Sequence, residues 1–233
     1  MKLWLVRHAA VQVEPGVCYG ALDLPADAQA TQHLAHALAQ ALPLGIALRS
    51  SVLQRCELLA QCLCRLRPDL AYKTDTRLIE MNFGQWEGQT WDAIGPEALQ
   101  TWTDNFMHHP PGGQETVAQM LERVGAALRE AQRAAHDAVW ITHAGVINTV
   151  HTWLEPVSDA AGPEPGVLND LVADQRPGTV HPPPKLQHAP DHATSERLWR
   201  LRAQCPLLRP QNWPRSPPLG SWEALELSTE SPR

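Results

Sequence analysis

An α/β architecture is expected, a three-layer sandwich with a mostly parallel central sheet flanked by helices, and three features of the chain lead there. Leu3-Trp4-Leu5-Val6 and Ala138-Val139-Trp140-Ile141 are continuous apolar runs, which suits strands buried on both faces of a parallel sheet better than half-exposed ones. Stretches with helical spacing of apolar residues stand between the strand candidates, as β-α-β connections require. Both runs end abruptly in ionisable residues, Arg7-His8 and Thr142-His143. In open α/β sheets the rim at the carboxyl ends of the strands is where ligands bind.

The first strand leads into a loop up to Pro25 that carries Pro15, Gly16 and Gly20. Residues 26–42 form an amphipathic helix with Leu34, Leu38, Ala41 and Leu42 on one face, ended by Pro43 and Gly45. Residues 45–50 make a second strand. Ser51 and Gln54 have the spacing of a capping box, and Val52, Cys56, Leu59, Ala60 and Leu63 continue at helical period. Arg55 then sits in the first turn of a helix that starts at a strand end, where the helix dipole also favours an anion.

Residues 71–78 are expected as a short strand that delivers Glu80. A lid insertion spans about 80–113, with a helix over 96–106 and Pro110-Pro111-Gly112-Gly113 closing it. It carries Phe83, Trp86, Trp91, Trp102 and Phe106, and no Lys or Arg occurs between Arg77 and Arg123. Thr116 with Gln119 repeats the capping-box spacing, and Val117, Met120, Leu121, Val124 and Leu128 define the next helix. That helix leads to the strand before His143, and residues 146–154 supply another helix.

Beyond Leu154 the composition changes, because 14 of the 21 prolines lie from Pro156 onward. Residues 156–195 are therefore a Pro-rich segment, irregular over 163–190, whereas 198–205 and 222–227 alternate as late edge strands. The whole of 1–233 reads as a single domain.

With 233 residues and 43% hydrophobic content the chain can bury a sizeable core. A formal charge of −6 excludes a general nucleic-acid binder, which needs a basic face, but leaves room for a small phosphate ester held by local cations. The five cysteines show no C-x-x-C spacing, which fits reduced thiols in a cytoplasmic protein better than a disulfide framework or a zinc site. Neither a signal peptide nor a membrane span is expected. His108-His109 has no accompanying ligand at metal-binding spacing, so neither a metal nor another cofactor is expected.

In order along the chain, Arg7-His8, Ser51-Val52-Leu53-Gln54-Arg55, Glu80-Met81-Asn82-Phe83-Gly84-Gln85-Trp86-Glu87-Gly88 and Thr142-His143-Ala144-Gly145 resemble the histidine phosphatase (phosphoglycerate mutase-like) superfamily. Cys18-Tyr19-Gly20-Ala21-Leu22-Asp23-Leu24-Pro25 and the segment from Phe83 to Gly88 look most like the alpha-ribazole phosphatases of cobalamin assembly. The resemblance covers roughly residues 2–155. It implies a metal-independent phosphoric monoester hydrolase in which His8 attacks phosphorus and forms a phosphohistidine, splitting one hard displacement into two. Arg7 and Arg55 would bind the phosphoryl oxygens, with the Ala144 N–H as a further donor. His143 would be the second histidine on the phosphate. By the same resemblance Glu80 matches the general acid and base, and Glu87 is left as a helix-start or surface carboxylate. Trp86 is the candidate contact to the leaving group.

Two departures bear on turnover. Ala9 and Ala144 stand where the family usually has glycine, and Gln114 interrupts the family's Pro-Gly-Gly-Glu-Ser pattern. The alternatives are a phosphoglycerate mutase or broad sugar-phosphate phosphatase, and a phosphate-binding regulatory protein without turnover. The sequence leaves the oligomeric state open.

Overall fold

The computed structural model describes residues 1–154 and 218–228. Within them five strands form one sheet: β1 (Lys2–Arg7), β2 (Ala47–Ser50), β3 (Tyr72–Thr74), β4 (Ala138–Thr142) and β5 (Trp222–Glu226), in the order β3-β2-β4-β1-β5. All neighbours are parallel except β5, which runs antiparallel to β1 at one edge. Among the described residues six α-helices accompany it: α1 (Ala28–Ala41), α2 (Gln54–Leu66), α3 (Trp91–Ile94), α4 (Pro96–Asp104), α5 (Val117–Ala134) and α6 (Ala144–Leu154).

Side chains alternate across the sheet and feed two separate cores. Leu3, Leu5, Ala138 and Trp140 join Met120, Leu121, Val124 and Leu128 of α5 and Val146, Ile147 and Val150 of α6. Val6, Leu48, Val139 and Ile141 join Leu34, Ala35 and Leu38 of α1 and Cys56, Leu59, Ala60 and Leu63 of α2. With apolar residues wanted on both faces, β1 and β4 cannot alternate polar and apolar, which explains their continuous hydrophobic runs. The result is the expected three-layer sandwich.

The register brings the strand ends together. Arg7 stands opposite Thr142 and Ser50 opposite Ile141, so the residues that follow β1, β2 and β4 leave the sheet side by side.

Several local expectations change. The stretch before Glu80 is a three-residue strand, and a 3-10 turn over Thr76–Leu78, capped by the Asp75 side chain, completes it. The Thr116–Gln119 capping box is present in full. The one expected at Ser51 is not: α2 begins at Gln54, whose N–H is capped by Asp23 Oδ1 at 2.7 Å from the preceding loop. Ser51 is fully buried and its hydroxyl faces His143 instead. The strand expected over 222–227 is the edge strand β5. The Pro-rich segment 156–195 and the strand expected over 198–205 lie outside the described residues. Among those described, no helix is long and apolar enough to cross a membrane.

Candidate active site

His8 follows β1 and is 2% exposed. Its Nδ1 lies 2.7 Å from the Ala9 carbonyl oxygen, which can only accept, so Nδ1 carries the proton and Nε2 keeps its lone pair. Burial, then the charges of Arg55 and Arg7, hold its pKa well below the usual histidine value. His8 is thus a neutral imidazole with an unprotonated Nε2 under both guanidinium fields.

His143 follows β4 and is fully buried, with its ring centroid 5.1 Å from that of His8. Arg55 Nε donates to its Nδ1 at 3.3 Å, so Nε2 bears the proton and donates to Ser51 Oγ at 2.9 Å. Burial depresses its pKa as well, followed by Arg55, His8 and Arg7.

Arg55 is fully buried in the first turn of α2. Besides Nε, it donates from Nη1 to the Leu22 carbonyl at 2.7 Å and from Nη2 to the Gly20 carbonyl at 2.5 Å. Three of the five guanidinium N–H groups are thereby used, and two remain uncommitted among the described residues. No described carboxylate pairs with it directly. A buried cation without a counterion is costly by itself, which suits this position to an anionic ligand. Arg7, 9% exposed, closes β1 next to it and is near enough for its charge to depress both histidines.

Glu80 reaches the same rim from the chain after β3. Its Oε2 accepts from the Gly145 N–H in the first turn of α6 at 3.0 Å, and Oε1 accepts from its own neighbour, Met81, at 3.0 Å. A Cβ on Gly145 would stand 2.3 Å from Glu80 Oε1, so a larger residue at 145 would push the carboxylate aside. Neither Ala9 nor Ala144 adopts a positive φ, which removes the backbone objection to alanine at those positions.

Residues 3–170 match the model of the histidine phosphatase superfamily, branch 1. The chain belongs to the histidine phosphatase superfamily. Its activity is accordingly that of a phosphatase or mutase on phosphate esters. Among solved structures, a phosphoglycerate mutase from Thermus thermophilus is 32% identical, with a TM-score of 0.54 over 67% of this chain and 85% of that one. A mycobacterial glucosyl-3-phosphoglycerate phosphatase is 25% identical, with a TM-score of 0.56 over 67% and 81%. A putative alpha-ribazole-5′-P phosphatase from Escherichia coli shares the fold at 23% identity and a TM-score of 0.58 over 66% and 79%. No curated protein sequence matches significantly.

In this histidine phosphatase, Arg7, His8, Arg55, Glu80, His143 and Ala144 all come to the rim of one sheet. Trp86 lies to the side: its ring meets Trp102 edge-on at 5.9 Å and is half-buried against the α5–α6 core. Trp102 is the hub of that cluster, also meeting Phe83 and Phe106. Tyr19, Ser51 and Glu87 were not singled out as site residues by the sequence. The Arg55 guanidinium lies 5.7 Å from the Tyr19 ring centroid. Burial raises the Tyr19 phenol's pKa, against the pull of Arg7 and Arg55. Glu87 is half-buried and accepts from three backbone N–H groups, those of Ala21, Leu22 and Phe83, which a plain surface carboxylate would not do. Its signal was its place in a Gly-flanked turn, where an acid can collect amides.

Proposed function

We propose that the chain is a phosphomonoesterase that works through a phosphohistidine at His8 Nε2. The observation that carries this reading is the His8 tautomer: Nδ1–H is tied to Ala9 and burial between two arginines keeps the ring neutral, which leaves Nε2 as a nucleophile. Nε2 forms its bond to phosphorus as the ester P–O bond breaks. Arg7 and the two spare N–H groups of Arg55 hold the phosphoryl oxygens, with the Ala144 N–H, as charge builds on them. His143 orients Arg55 through Nδ1, and its Nε2–H passes from Ser51 to a phosphoryl oxygen when the ester binds. Glu80 protonates the leaving alkoxide, then takes a proton from the water that attacks the phosphohistidine. Protein groups suffice for each step.

For the substrate we favour a monoester of a nucleoside-like alcohol, alpha-ribazole 5′-phosphate first. The support is the segment from 78 to 122, which has no Lys or Arg to hold a second anionic group, together with its aromatic residues; Trp86, beside the rim, is the one we assign to the leaving group. A role in cobalamin assembly rests on the same reading.

The test is p-nitrophenyl phosphate at mildly acid pH without added metal, on wild type and His8→Ala, with alkaline quenching to trap the acid-labile phosphoenzyme. Wild type should hydrolyse and label; the variant should do neither. Hydrolysis by the variant above a trace rejects covalent catalysis at His8. Vanadate binding without hydrolysis by wild type would make the protein a phosphate-binding regulator, and interconversion of 3- and 2-phosphoglycerate would make it a mutase.

A further inference from the structure

Glu87 has no place in the chemistry above, yet it is among the most heavily bonded carboxylates near the site. Oε1 accepts from the Ala21 N–H at 3.0 Å and the Phe83 N–H at 2.9 Å, and Oε2 accepts from the Leu22 N–H at 2.5 Å. The same short piece of chain is held from its other side by Arg55. The peptide joining Gly20 to Ala21 receives Arg55 Nη2 at its oxygen and gives its N–H to Glu87. Leu22 likewise offers its carbonyl to Arg55 Nη1 and its N–H to Glu87.

We propose that Glu87 is a positioning residue that sets Arg55 for phosphate by gripping residues 20–22 from the side opposite the guanidinium. The inference rests on Arg55 being a phosphate ligand, as proposed above. The arrangement answers a conflict built into any buried anion site. A carboxylate paired directly with Arg55 would lower the cost of burying the cation but would also compete with phosphate for its N–H groups. A carboxylate one peptide away avoids the competition. It polarises the Gly20–Ala21 peptide so that its oxygen accepts more strongly from the guanidinium, and two guanidinium N–H groups stay open for the ligand.

The neighbourhood fixes this strap in place. A Cβ on Gly20 would sit 1.9 Å from the Met81 carbonyl oxygen, so residue 20 lies flush against the chain next to Glu80. Cys18 exchanges backbone hydrogen bonds with the chain after Glu87, donating to Gln89 at 2.7 Å and accepting from Gly88 at 2.8 Å. At the other end Asp23 caps α2 at Gln54, one residue before Arg55. Glu87 therefore links the segment bearing the acid to the loop bearing the guanidinium's rests.

Inorganic phosphate affinity, read by titration calorimetry, is to be measured for wild type, Glu87→Gln, Arg55→Lys and the double variant. Glu87→Gln should weaken phosphate by about tenfold, a loss typical of one strong hydrogen bond to a charged group. In the Arg55→Lys background the same change should cost less than about twofold, because its effect is transmitted through the guanidinium. Unchanged phosphate affinity, or an equal loss in both backgrounds, overturns the inference and leaves Arg55 as a ligand. Arg55→Lys binding phosphate as tightly as wild type removes the foundation instead. If Glu87→Gln does not fold, amide hydrogen exchange on wild type decides: phosphate should slow exchange at Ala21 and Leu22, and unchanged exchange at both overturns the proposal.

Discussion

His8 and His143 are buried side by side as neutral rings, and this has a thermodynamic cost that appears only in acid. Above the ordinary histidine pKa, roughly 6.5, both rings are neutral in folded and unfolded chains, so they add no pH dependence. Below it the unfolded chain takes up protons that the buried rings refuse, because burial and the arginines hold both folded pKa values well below 6.5. Stability should therefore fall as pH drops from about 6.5 towards about 5, each ring contributing up to one proton to the slope. Replacing His8 by Asn, which does not titrate, should remove one of those protons. Urea unfolding at several pH values on both proteins checks this, and equal slopes would mean that His8 is protonated in the fold. The same depression keeps Nε2 nucleophilic in mild acid. His8 and His143 were legible in the sequence because an ionisable residue ending an apolar run is conspicuous. Ser51 was legible only in the wrong role, since spacing to Gln54 cannot reveal a buried imidazole arriving from residue 143.

Helix α5 serves the site from a distance. Arg123 donates from Nη1 to the carbonyls of Arg77 at 2.8 Å and Ile79 at 2.6 Å, and from Nε and Nη2 to the two oxygens of Glu115. Glu115 Oε2 in turn accepts from the Asn82 N–H at 3.0 Å. The brace holds the backbone on both sides of Glu80, while the Thr116 capping box fixes the helix start beside it. Arg123→Lys keeps the charge but lacks the fork that reaches four acceptors, and should destabilise by about 1–3 kcal/mol. Its effect on rate should depend on the leaving group. A p-nitrophenolate departs without protonation, whereas an alkoxide needs the Glu80 proton, so the variant should lose more kcat on an alkyl phosphate than on p-nitrophenyl phosphate. An equal loss on both esters would make the brace a matter of stability alone. Sequence spacing found the cap at Thr116, where both partners are local. It could not find the brace, whose acceptors are backbone carbonyls 44 and 46 residues away.

The sheet as a whole explains why the fold was easier to read than the specificity. Two cores on opposite faces demand continuous apolar strands, and that demand is written directly in residues 3–6 and 138–141. The region between Glu80 and α5 has no such period, and its aromatic residues could equally serve substrate or core. The structure commits most of them to each other: Phe83 meets Trp91 and Trp102 edge-on, Trp86 meets Trp102, and Trp102 packs on Phe106. Stacking on a base, worth roughly 1–3 kcal/mol where a face is free, is thus the weaker support even at the half-buried Trp86, and the electrostatic part of the specificity argument carries more weight. With the chain at −6 overall and no Lys or Arg from 78 to 122, a carboxylate or second phosphate on the leaving group meets a field of the wrong sign. Specificity constants for alpha-ribazole 5′-phosphate should therefore exceed those for 3-phosphoglycerate by at least roughly tenfold, about 1.4 kcal/mol, and the ratio should shrink as salt screens the repulsion. Trp86→Ala should slow the aromatic ester while leaving 3-phosphoglycerate unchanged. Competition between the two esters at low and high ionic strength separates the contributions. A ratio insensitive to salt but lost in Trp86→Ala would assign the preference to stacking, and a preference for 3-phosphoglycerate would show that cations outside residues 78–122 complete the pocket.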